Sequence, residues 1–251
     1  SKSKGNVIDP FELFKDYGAD AVRWYLSYSS PAWAPTKFDF GGLREVISKF
    51  FSTLKNSYNL FILYANLSDI TPENINDLWI PVEERPELDR WIMSRLHETL
   101  KTVKEQFDVY DLTQVTRILQ DFVNEELSNW YIRRSRRRFW QEELTEDKKS
   151  VFITTYEVLK TIVLMAAPIA PFITEEIYRN LTGEKSVHLA DYPEVNESLI
   201  DRQLNESMKL AQNITTLGRA AREAVSIKVR QPLPKVVIDK RFEELLKKNS
   251  M

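Results

Sequence analysis

The sequence predicts a mainly α-helical protein: a helical bundle preceded by a small α/β segment, with a short strand-helix start at its C-terminal end. Three observations carry this. The 251 residues include only six glycines. Apolar residues recur at threes, fours and sevens over long stretches. Punctuation of the kind that starts and stops helices falls between those stretches, as at Asp111-x-x-Gln114 and Gly183. The expected divisions are residues 1–42, 43–229 and 230–251.

Residues 1–42 are turn-rich and aromatic, with breaks at Pro31 and Pro35. Pro10 suits the first position of a short helix to Tyr17. Gly18 is a left-handed stop, and Asp20 favours the N-terminus of the next helix. A long amphipathic helix starts at Leu43 with the stripe Val46, Ile47, Phe50, Leu54, Phe61 and Tyr64. Ser68 to Pro86 reads as a polar linker. Pro86 opens a second helix whose apolar stripe is Leu88, Trp91, Ile92, Leu96, Leu100, Val103 and Phe107. Asp111 with Gln114 is a capping-box pattern, which starts a third helix running past Trp130. A fourth runs from about Lys149 to Ala167, restarts at Pro168-Ile169-Ala170-Pro171 and ends near Gly183. A fifth covers Leu204 to Val225. Lys235-Val236-Val237-Ile238 is β-branched and weakly alternating, so it is expected as a strand, followed by a short charged helix.

Composition narrows the chemistry. The net charge of −2 provides no global basic field, so any RNA contact rests on a local patch. The chain has no cysteine, which excludes disulfides and Cys-based zinc sites and fits a reducing compartment. There is no apolar run long enough to span a bilayer. His97 and His188 lack partners at metal-ligand spacing and read as structural.

Three stretches carry candidate chemistry. Ser1-Lys2-Ser3-Lys4-Gly5 combines two mobile cations, two hydroxyls and a glycine, a composition suited to phosphate but equally that of a basic tail. Arg133, Arg134, Arg136, Arg137 and Arg138 fall within six positions near a helix end, where cations also complement the helix dipole. Arginine suits phosphate contact and base stacking. Trp140 is a candidate base platform, whereas Trp130 and Tyr131 read as core; Glu125, Glu126 and Glu142 are candidate ion-pair partners. Arg219, Arg222, Lys228 and Arg230 form a second basic cluster, beside the small residues Gly218, Ala220 and Ala221, which suit close helix packing.

The run Ser1-Lys2-Ser3-Lys4-Gly5-Asn6-Val7-Ile8-Asp9-Pro10 resembles the K-M-S-K-S-K-G-N-x-I-D-P signature of class I aminoacyl-tRNA synthetases. The leading Lys and Met do not precede Ser1, so the chain is expected to begin inside the motif. The likeness continues through Tyr17-Gly18-Ala19-Asp20-Ala21-Val22-Arg23-Trp24-Tyr25-Leu26, Ser30-Pro31-Ala32-Trp33 and Lys37-Phe38-Asp39. Asn129-Trp130-Tyr131-Ile132-Arg133-Arg134-Ser135-Arg136 and Ser186-Val187-His188-Leu189-Ala190-Asp191-Tyr192-Pro193 are similar to the isoleucine-specific branch.

The resemblance implies that residues 1–42 end a catalytic domain and form a stem-contact region. It implies that 43–229 are a helical anticodon-binding bundle and that 230–251 open a further domain. By it, Ser1, Lys2, Ser3 and Lys4 belong to an ATP loop in which Lys2 stabilises charge on the triphosphate. The rest of that site would lie upstream, so this chain alone is expected to hold no cofactor and not to catalyse. The full-length enzyme would use ATP and Mg²⁺. The implied partners are isoleucine tRNA and the upstream catalytic and editing domains of the same chain, in a cytoplasmic monomer without membrane contact. The implied tRNA-binding residues are Arg133, Arg134, Arg136, Arg137, Arg138, Trp140, Arg219, Arg222, Lys228 and Arg230. The alternatives are the same module from a valyl- or leucyl-type enzyme, a helical interaction scaffold that binds no RNA, and a small nucleotide enzyme using Lys2 and Lys4.

Overall fold

The computed structural model describes residues 8–237 and 239. They divide into two compact units, the first running to Leu199 and the second beginning at Ile200. In the first unit, α1 (Pro10–Tyr17) and α2 (Ala19–Ser29) meet at Gly18. Its φ of 82° and ψ of 151° form a glycine conformation, but not the left-handed helical one expected of a simple stop. No strand occurs among the described residues of 1–42, so the small α/β segment consists there of helices joined by an irregular stretch over residues 30–39. Residues 235–237 are exposed and carry no strand, and Ile238 lies outside the described residues with the helix expected after it.

The helix α3 (Phe40–Val46) begins at Asp39, whose carboxylate accepts from the Gly42 amide at 2.7 Å. It continues through a π-helical stretch, Ile47–Ser52, into α4 (Thr53–Leu67). The expected stripe is the buried one: Leu43, Val46, Phe50, Leu54 and Phe61 are each at most 3% exposed. Trp24 of α2 stacks on Phe50 with ring centroids 3.7 Å apart, both rings fully buried. Helix α5 (Glu87–Asp108) buries Trp91, Ile92, Leu96, Leu100 and Val103, as its periodicity requires.

Next, α6 (Leu112–Asp121) passes through an eleven-residue π-helical stretch, Phe122–Ile132, into α7 (Arg133–Phe139). The Asp111 side chain accepts from the Gln114 amide at 3.0 Å. The return half of the capping box is absent: the Asp111 amide donates to the Gln106 carbonyl instead. Helix α8 (Glu146–Ala166), capped by Thr145, is buried along most of its length, and Phe152 packs edge-on against Phe61 and Phe139. Pro171 then opens α9 (Pro171–Thr182), which Gly183 ends at φ 70°.

The α8–α9 break is braced from α2. Arg23 donates to the carbonyls of Ile169 at 2.9 Å and Pro168 at 3.1 Å, just past the end of α8. Asp20 accepts from the amides of Phe172 at 3.1 Å and Ile173 at 2.8 Å, at the start of α9. Residues three apart on one helix thus satisfy carbonyls on one side of the break and amides on the other. In the second unit, α10 (Arg202–Ala224) starts at Asp201, which accepts from the Leu204 amide at 2.9 Å.

Candidate nucleic-acid interface

The arginine run sits on a helix whose inward side is set by packing. Ser135 and Phe139, one turn apart, are buried, which leaves Arg133, Arg134, Arg136 and Arg137 exposed. Among the described residues no carboxylate forms an ion pair with any of these four. Two of the three acids expected to pair with them are otherwise placed. Glu126 accepts from Arg95 at 2.8 Å twice, and Glu125 accepts from Asn124 at 2.6 Å. Four unneutralised guanidiniums on one short helix make a local anion-attracting field that the chain's net charge conceals.

Aromatic rings flank the run. The Arg134 guanidinium lies 4.3 Å from the Trp130 ring centroid, a cation–π stack one turn apart. Trp130 is half-buried beneath it, whereas Tyr131 is fully buried. Trp140, at the C-cap of α7, is 55% exposed and tilts at 42° against Tyr64 of α4, centroids 6.4 Å apart. An exposed indole beside free guanidiniums is the pairing that suits phosphate together with an unstacked base.

Arg138 departs from the expectation for this cluster. Its guanidinium donates to both carboxylate oxygens of the fully buried Asp89, each at 2.6 Å. It also pairs with Asp147 at 2.9 Å. Burial alone would lower its pKa, but hydrogen bonding to Asp89 and the charge of that carboxylate more than offset this and raise it. Arg138 is therefore a structural cation, and the solvent-facing set is the other four.

The second basic cluster lies in the second unit and also divides. Arg219, Lys228 and Arg230 are exposed. Arg222 turns back, its Nη1 donating to the carbonyls of Lys228 at 3.0 Å and Gln231 at 2.8 Å, so it ties down the turn after α10. Ser226 takes φ 56° in that turn. The small residues Gly218, Ala220 and Ala221 are exposed rather than packed, with open space around Gly218.

Both histidines are tied to backbone. His97 Nδ1 accepts from the Asn196 amide at 3.2 Å, and His188 Nε2 lies 3.2 Å from the Pro171 carbonyl. Among the described residues no group of three or more His, Asp or Glu is placed to hold a metal ion. No helix of the described residues is long and apolar enough to cross a membrane. Ser1, Lys2, Ser3 and Lys4 lie outside the described residues.

Residues 89–238, which contain both basic clusters, match the family described as the anticodon-binding domain of tRNA ligase. The chain belongs to this family. Residues 1–38 match a second family, the class I tRNA synthetases for I, L, M and V. The chain is 48% identical over 239 residues to the isoleucine–tRNA ligase of Porphyromonas gingivalis, covering 95% of this chain and 21% of that protein. It is 45% identical over 244 residues to the isoleucine–tRNA ligase of Clostridium tetani, covering 95% of this chain and 23% of that protein. The chain thus spans about a fifth of the length of the curated relatives it matches. Among solved structures it is similar to the Agrobacterium radiobacter K84 agnB2 LeuRS, crystallised as a ternary complex with tRNA and LeuAMS. That match has a TM-score of 0.59 and 23% identity, covers 80% of this chain and 22% of that one, and shows the fold.

Three features of this region go beyond the sequence reading. Tyr64 was counted only as part of the α4 apolar stripe, yet it backs Trp140. The Trp130–Arg134 stack was legible from its four-residue spacing. Asp89, polar within an apolar stripe, gave no sign of its partners.

Proposed function

We propose that this chain docks tRNA for an isoleucine–tRNA ligase. The observation that carries the reading is the α7 face: Arg133, Arg134, Arg136 and Arg137 lie exposed and unneutralised between a cation–π stack and the exposed Trp140. RNA is read through phosphates, shape and splayed bases, and this surface offers a partner for each. Arg219, Lys228 and Arg230 are a second exposed set of cations, in the other unit. The isoleucine assignment is supported by the identity of 42–48% to isoleucine–tRNA ligases.

Within the complete protein, residues 1–42 end the catalytic domain and form the stem-contact region, and 43–229 form the bundle. The complete protein joins isoleucine to its tRNA with ATP and Mg²⁺, acting as a cytoplasmic monomer, and Lys2 stabilises charge on the triphosphate there. The chain by itself positions tRNA and supplies no catalysis. Filter binding with isoleucine tRNA against a tRNA for an unrelated amino acid tests the reading. Preference for the isoleucine tRNA is expected. Equal, weak retention of both would favour a helical scaffold that binds no RNA.

A further inference from the structure

We propose that Asp89 is a positioning residue for the α7 arginine face. Together with the packing of Ser135 and Phe139, its buried carboxylate fixes the rotation of that helix and so aims Arg133, Arg134, Arg136 and Arg137. The inference rests on the RNA-docking reading above. Asp89 stands on α5 and is fully buried. It accepts from the Tyr131 hydroxyl at 2.9 Å, from Arg138 Nη1 and Nη2 at 2.6 Å each, and from Ser150 Oγ at 2.5 Å. Tyr131 and Arg138 lie on either side of the exposed arginines, two helical turns apart and on one face. One carboxylate therefore holds both ends of the run, while Ser150 ties the same point to α8.

The chemistry is wasteful if the only task is cohesion. Burying a carboxylate and a guanidinium costs desolvation, and apolar side chains of similar volume often hold helices together as well or better. Directional donors do something apolar contacts do not. A rotation of α7 by one residue would unseat both Tyr131 and Arg138 from Asp89. The constraint is applied where it is needed, because the preceding eleven residues are π-helical and shift the phase of the side chains relative to α6.

The test uses the whole 251-residue chain and isoleucine tRNA. D89N keeps one acceptor oxygen but turns an amide group toward Arg138 and Ser150. R138K keeps the charge and loses the fork. Each is read for folding by circular dichroism, for affinity at fixed salt, and for the slope of log K against log salt. Chains labelled with 5-fluorotryptophan also report the Trp130 fluorine resonance. With the fold retained, binding should weaken about 5- to 30-fold. The salt slope should be unchanged and the Trp130 resonance displaced. R133Q, by contrast, should lose about one unit of slope. If D89N does not fold, R138K decides.

A folded R138K with unaltered affinity overturns the proposal. So does an R138Q that loses slope as R133Q does, because Arg138 would then be a phosphate contact. If the unsubstituted chain binds no tRNA, the docking reading falls, and with it the RNA consequence of Asp89. The fluorine spectrum still separates the two failures: a displaced Trp130 resonance in R138K upholds Asp89 as the residue that sets the helix, and an undisplaced one refutes it.

Discussion

Asp20→Ala tests the brace that joins α2 to the start of α9. Asp20 is 8% exposed, and its Oδ2 accepts from two amides at the α9 N-terminus, Phe172 at 3.1 Å and Ile173 at 2.8 Å. Removing the acceptor strands those amides in a partly buried site. Loss of an N-terminal cap costs about 1 kcal/mol, and a second unsatisfied buried donor adds about 1–2 kcal/mol, so Asp20→Ala should cost about 2–3 kcal/mol. For a chain of this size that is a fall in Tm of about 5–10 °C. Burial pushes the Asp20 carboxyl up, the hydrogen bonds from Ile173 and Phe172 pull it down, and burial wins. The acceptor oxygen that meets the two amides is the stabilising feature. Asp20→Asn preserves that oxygen and should cost less than about 1 kcal/mol. Urea unfolding followed at 222 nm compares the two. An Asp20→Ala loss under 0.5 kcal/mol, or an Asp20→Asn loss equal to that of alanine, would refute the reasoning.

Gly183→Ala should cost about 1 kcal/mol in the same assay. The added Cβ meets Pro72 at an ordinary 3.5 Å, so the cost is that of holding alanine at φ 70°. Asp111→Ala should cost about 1 kcal/mol and Gln114→Ala almost nothing, because only the Asp111 half of the capping pair forms; equal costs would contradict this. Burial lowers the pKa of His97 below 6.5, and its Nδ1 accepts a hydrogen bond that protonation would break. The unfolded chain then binds the proton more tightly, so this contribution to stability is complete above pH 6.5 and is lost as pH falls through the folded-state value. The part of the pH dependence due to this group should vanish in His97→Gln, measured by urea midpoints between pH 5 and 8.

Helix positions were largely legible because their causes are local. The α5 stripe from Trp91 to Val103, the Pro171 restart and the Gly183 stop each follow from residues within one or two turns. What escaped the sequence depends on distant partners. Asp20 reads as an acid at the start of its own helix, yet it also caps another helix some 150 residues away in sequence. Nothing near Arg138 distinguishes it from Arg137; only the buried Asp89 of α5 does, and Asp89 looks like an interruption in an apolar stripe. The two π-helical stretches have no periodic signature strong enough to separate them from an α-helix. Val236 and Val237 carried the composition of a strand, but residues 235–237 form none, which shows how little β-branching alone determines.

The most direct test of the central claim is the salt dependence of isoleucine-tRNA binding by this chain. With about three phosphates engaged by the arginine face, log K should fall against log salt with a slope of about −2 to −3, and the quadruple Gln variant of Arg133, Arg134, Arg136 and Arg137 should lose most of that slope. Binding that ignores salt, or a quadruple variant that binds as the unsubstituted chain does, would contradict the account.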